Sequence, residues 1–132
     1  MRHGRKGKQL NRPADQRKAM LRSLMGALLR HERIKTTDAR AKELRRHIEK
    51  LITTARRGVE SDDQARLLHA RRRCMARLPD RVAVDKLFAM LTPEADDEPG
   101  WLEDRPGGYT RITPLYRRLG DNARIVQIEF VE

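Results

Sequence analysis

The sequence predicts a two-layer α+β fold: a small three-stranded sheet with about four helices packed on it, in the order helix, strand, helix, helix, helix, strand, strand. Three observations carry this prediction. Apolar residues recur at helical spacing in two stretches before residue 60, a β-branched tetrapeptide (Ile34-Lys35-Thr36-Thr37) separates them, and residues 124–131 alternate apolar with polar positions. At 132 residues, 38% of them hydrophobic, the chain suits one globular domain with a modest core, here residues 13–132.

Residues 1–12, MRHGRKGKQLNR, hold five Lys or Arg, two Gly and no acid. Such a segment cannot bury enough apolar surface to order itself alone, so it reads as a basic tail that orders on binding. Pro13 suits a first helical turn and Asp15 its dipole, while Leu21, Leu24, Met25 and Leu28 fall at i, i+3, i+4, i+7. With Met20, Ala27 and Leu29 widening the arc, this first helix is expected to be the most buried.

A strand over about Arg33 to Thr36 follows, and Thr37 then caps a helix that runs to about Arg57 and stops at Gly58. Ala41, Leu44, Ile48, Leu51, Ile52 and Ala55 form its core stripe; at about 100° per residue, Lys42, Arg45, Arg46, Lys50, Arg56 and Arg57 share one flank. Ser61-Asp62-Asp63-Gln64 reads as a capping box for a third helix that Pro79 ends, and Val84, Leu87, Phe88 and Leu91 mark a fourth after Asp80. Both are expected to cover the core.

Residues 94–104, EADDEPGWLED, carry six acids, Pro99, Gly100 and the only tryptophan, which predicts an acidic loop at about 94–106. Trp101 is left to anchor on a neighbour or on the domain itself. Gly107-Gly108 precedes a strand from Tyr109 to Thr113 that Pro114 limits, and Gly120-Asp121-Asn122 supplies the turn before a strand from Arg124 to Val131.

Charge narrows the function. Thirty Lys and Arg against 19 Asp and Glu give a formal charge of +11 and a pI near 10.8, which point to a polyanion: nucleic acid first, anionic membrane second. Residues 1–60 hold 18 basic and 6 acidic side chains, whereas residues 61–132 hold 12 and 13, so the excess lies in the first half. The longest apolar run, Leu24 to Leu29, is too short to span a bilayer, and no signal-peptide core follows the basic start. An organellar transit peptide is a further reading of that start, although such segments are usually rich in Ser and residues 1–12 have none.

A lone cysteine, Cys74, fits a structural or surface thiol in a reducing compartment. His3, His31, His47 and His69 are too dispersed for a metal site, and no nucleophile with a base, phosphate loop or carboxylate pair asks for catalysis. No enzyme, cofactor, metal or small-molecule substrate is expected. Aromatic residues are 4% and scattered, so recognition should rest on backbone and shape rather than base stacking.

The strongest site signal is the strand entering a helix. Helix N-termini present unpaired N–H groups and a positive dipole end, and Lys35, Thr36 and Thr37 add an ammonium and two hydroxyls. The same residues fit a plain cap with Lys35 in water; the basic flank and the tail tilt the reading toward a phosphate track. Asp121 reads as a turn residue.

The motifs MRHG (1–4), LNR (10–12), RHERIKTT (30–37), AKELR (41–45), LITTA (51–55), GGYTRI (107–112), GDNA (120–123) and IEFV (128–131) together resemble the bacterial large-subunit ribosomal protein seventeen family. The resemblance covers most of the chain. It implies a structural, rRNA-binding protein of the cytoplasmic bacterial ribosome, near the peptide exit tunnel and beside neighbouring large-subunit proteins. Carried over by position, it implies tail contacts at Arg2, His3, Arg5, Lys6, Lys8 and Arg12. It further implies contacts at Arg30, His31, Lys35, Thr36, Thr37, Lys42, Arg45 and Arg46, and at Tyr109, Thr110 and Arg111 in the later strand. The chain departs from the family pattern at Pro13-Ala14-Asp15-Gln16 and at Arg124-Ile125, and its acidic stretch is longer and more negative, as suits solvent or a basic protein neighbour. Composition alone equally allows a free nucleic-acid-binding or ribosome-assembly factor.

Overall fold

The longest amphipathic stripe in the sequence becomes the central helix. In the computed structural model, which describes residues 3–4, 6–92 and 105–131, the elements are α1 (Ala14–His31), β1 (Arg33–Thr37), α2 (Asp38–Val59), α3 (Gln64–Arg77), α4 (Arg81–Leu91), β2 (Thr110–Arg117) and β3 (Arg124–Phe130). The α+β class and the element order are those expected. Arg2, Arg5 and the acidic stretch Glu94–Asp104 with Trp101 lie outside the described residues.

The sheet is antiparallel with β3 in the middle, β1 on one side and β2 on the other. Period-two alternation puts Ile34, Ile112, Val126, Ile128 and Phe130 on the face that meets the helices. α1 and α2 touch the strands, and α3 and α4 pack on α2. Ala41, Leu44, Ile48, Leu51, Ile52 and Ala55 of α2 are all 0% exposed. Each large side chain among them contributes about 1.5–3 kcal/mol by leaving water.

Four sequence expectations are corrected. The most buried helix is not α1, whose first turns from Ala14 to Ala19 line the outside with only Arg17 half-buried; α2 is covered on both sides, and α4 buries six of its 11 residues. Gly58 does not stop α2 but lies inside it, because α3 crosses there: a Cβ on Gly58 would stand 2.3 Å from that of Ala70. Asp63, not Ser61, caps α3 by accepting from Ala65 N at 2.9 Å, while Ser61 Oγ donates back to the Gly58 carbonyl. Pro114 does not end β2, which continues to Arg117; β2 is an edge strand, so the missing N–H faces no partner strand, and the pairing slips between Pro114 and Tyr116.

Candidate nucleic-acid interface

β1 runs into α2 without a linker: Thr37 is both the last strand residue and the helix N-cap, and its side chain makes no capping hydrogen bond. Lys35 is exposed beside Gln127, whereas Thr36 pairs with Val126 and is half-buried on the helix-facing side. The helix dipole already meets a carboxylate of its own, Asp38 in the first turn. Lys42 Nζ sits 2.8 Å from Asp38, and this hydrogen bond, opposed by partial burial and helped by the charges of Lys42, Arg124 and Lys8, holds the Asp38 carboxyl below its usual range. Lys42 of α2, Arg124 next to the Ile125 that pairs with Thr37, and Lys8 of the N-terminal segment thus bring cations to one end of the fold, and the anion surface there is made by side chains more than by bare helix N–H groups.

Contrary to the expectation of a tail that orders only on binding, the N-terminal segment is held at the same end through Glu43. This carboxylate is only 6% exposed, accepts from the Lys8 amide at 3.1 Å, and has Arg46 at 3.6 Å and His47 at 3.4 Å. Gly7 makes the approach possible: its φ of +98° is left-handed, and a Cβ would stand 2.9 Å from Glu43 Oε1. Between this segment, α1 and α2 opens a groove of about 1010 Å³, edged by Lys6, Arg12, Arg17, Lys18, Arg22, Lys50 and Arg77 and floored by Leu21, Met25 and Leu51. Among the described residues Glu43 is the one acid that lines it.

The other expected contacts divide. His3, Lys6, Lys8, Arg12, His31, Lys42, Arg46 and Arg111 are exposed; Arg45 is half-buried, with no hydrogen-bond partner for its Nε among the described residues. Arg30 is exposed too, but its guanidinium pairs with Asp80, the residue that caps α4, while its carbonyl accepts from Lys86 Nζ at 2.8 Å. Tyr109 and Thr110 offer little surface: Tyr109 is 3% exposed with its hydroxyl on Arg56 at 3.1 Å, and Thr110 is 7% exposed with Oγ1 donating to Glu49 at 3.0 Å. Arg56 therefore leaves the basic flank and works inside the fold, holding Tyr109, Glu60 and the Arg105 carbonyl. Hydrogen bonding to Tyr109, then to Glu60, pushes the pKa of its guanidinium up. Cys74 is buried, which raises its thiol to about 11, as suits a packing residue.

A family model described as Ribosomal protein L17 matches residues 20–131. The chain belongs to the ribosomal protein L17 family. It is 47% identical over its full length to the Large ribosomal subunit protein bL17 of Syntrophotalea carbinolica, covering 76% of that protein. It is 46% identical, again over its full length, to the bL17 protein of Azorhizobium caulinodans, covering 84% of it, and 45% identical over 99% of its length to that of Syntrophus aciditrophicus, covering 93%. The family is one of ribosomal proteins, a structural and non-catalytic class.

For this L17 family member the structure adds a surface that sequence reasoning missed. A second groove, of about 1060 Å³, lies between α2 and α3 and carries Arg66, Arg73 and Arg77 from α3 opposite Arg46, Lys50 and Arg57 from α2. α3 holds five Arg and no acid. Summing charge over residues 61–132 hid this, because the six acids of 94–104 cancel the helix; counting charge by helix would have found it.

Proposed function

We propose that this chain is a structural constituent of the large subunit of the cytoplasmic bacterial ribosome that binds large-subunit rRNA by charge neutralisation and shape. The names of its relatives support the subunit, and the convergence of Lys8, Lys42 and Arg124 on the β1–α2 junction supports the RNA contact. Lys6, Lys35 and Arg46 extend that contact into a track for successive phosphates. Residues 1–12, with Arg2 and Arg5, act as a basic appendage to one domain, residues 13–132. A position near the peptide exit tunnel, beside neighbouring large-subunit proteins, follows from the family resemblance and is part of the same proposal.

Sedimentation of the full chain with mature large subunits through a high-salt wash tests the assignment. An integral constituent stays with the subunits; a free assembly factor or nucleic-acid-binding protein washes off.

A further inference from the structure

The groove between α2 and α3 has the features of a second RNA site. At about 100° and 1.5 Å per residue, Arg66, Arg73 and Arg77 fall on one stripe of α3, separated by about 10 Å and about 6 Å along the axis. They face Lys50 and Arg57 across a floor of small residues that includes Gly58, Ala65 and Ala70. Among the described residues no acid pairs with Lys50, Arg57, Arg73 or Arg77, while Arg66 has only Asp63 at 3.7 Å. Among the described residues the one lining acid, Glu49, is occupied by the Thr110 hydroxyl.

We propose that this groove binds an RNA phosphodiester strand distinct from the one held at the β1–α2 junction, so that the protein bridges two rRNA segments. The inference rests on the rRNA reading given above. Cationic rails over a floor of small side chains let a sugar-phosphate backbone approach closely. An acidic protein partner fits less well, because interface cores are anchored by large apolar or aromatic side chains and, among the described residues, none of the exposed ones, Leu68, Val82, Leu115, Tyr116 and Leu119, lines this groove.

Hydroxyl-radical footprinting of large-subunit rRNA bound to the full chain separates the possibilities, with Arg66→Ala/Arg73→Ala compared with Lys35→Ala/Lys42→Ala. All four side chains are on the surface, and circular dichroism checks that both variants fold. The α3 variant is expected to lose protection over one rRNA segment, to keep the protections that the junction variant loses, and to lower the salt slope by about 2, one per cation removed. Unchanged protections in the α3 variant alone overturn the bridging proposal and leave the rRNA reading standing. Unchanged protections in both variants overturn the bridging proposal and the junction contact together, and a wild-type chain that protects no rRNA segment overturns the rRNA reading itself.

Discussion

Gly58 of α2 and Ala70 of α3 touch where the two helices cross, with room for one β-carbon and not for two. Apart from Ala70, the nearest atoms to a Cβ on Gly58 would be Arg66 O and Leu67 Cα at 3.6 Å, an ordinary contact distance. The close approach brings the basic side chains of α2 and α3 to the two sides of one groove.

Gly58→Ala should therefore destabilise the fold. Alanine gains about 1 kcal/mol in helix propensity, but overpacking two helix backbones costs about 1–3 kcal/mol, and here the opposing atom sits on a rigid Cβ. Thermal unfolding should show a melting temperature lowered by several degrees, and Ala70→Gly in the same chain should recover most of the loss. An unchanged melting temperature in the single variant would show that the helices part without cost.

Glu43→Ala should release the N-terminal segment without unfolding the domain. The carboxylate accepts from the Lys8 amide, so hydrogen exchange at Lys8 should speed up, with Glu43→Gln intermediate because it keeps an acceptor oxygen. RNA affinity should fall with it, since the segment then has to be ordered on binding. Exchange at Lys8 that matches the wild type would contradict the anchor.

Much of the fold was legible because the residues that decide it are local. The α2 stripe from Ala41 to Ala55 and the alternation from Val126 to Phe130 each repeat with the period of their own element. What escaped depends on partners far along the chain. Gly58 looks like a stop until Ala70 is set against it, Tyr109 stands as a contact carried over from the family until Arg56 takes its hydroxyl, and Pro114 ends a strand only if that strand is not at an edge. Arg30 belongs to a basic motif and yet binds Asp80, 50 residues away.

Arg56→Ala should cost about 1–3 kcal/mol of stability while leaving the salt dependence of RNA binding unchanged. It removes the partner of the buried Tyr109 hydroxyl and of the Arg105 carbonyl. Lysine should not restore the loss, because one ammonium cannot reproduce the guanidinium fork that reaches Tyr109, Arg105 and Glu60. Denaturant unfolding gives the first quantity and filter binding across salt the second; a salt slope reduced by about 1 would return Arg56 to the RNA face.

The β2–β3 turn should titrate locally. Arg118 and then the Ala123 amide hold the exposed Asp121 carboxyl at about 2, below the usual 3.8. Because the folded value is depressed, its contribution is present above about 3.8 and is lost as pH falls toward 2. Carbon NMR of the carboxyl should show that midpoint, and Asp121→Asn should remove the acid-range shifts of the Ala123 amide. A midpoint near 3.8 would dismiss the turn as a source of ordering.

The central claim, that this chain grips rRNA by neutralising phosphates, is tested most directly by the salt dependence of its affinity for large-subunit rRNA. Each phosphate neutralised on duplex should add about −0.9 to the slope of log K against log salt, and removing Lys42 or Arg46 should make the slope shallower by about 1 each. An affinity that stays level as salt rises, or a slope indifferent to those cations, would contradict it.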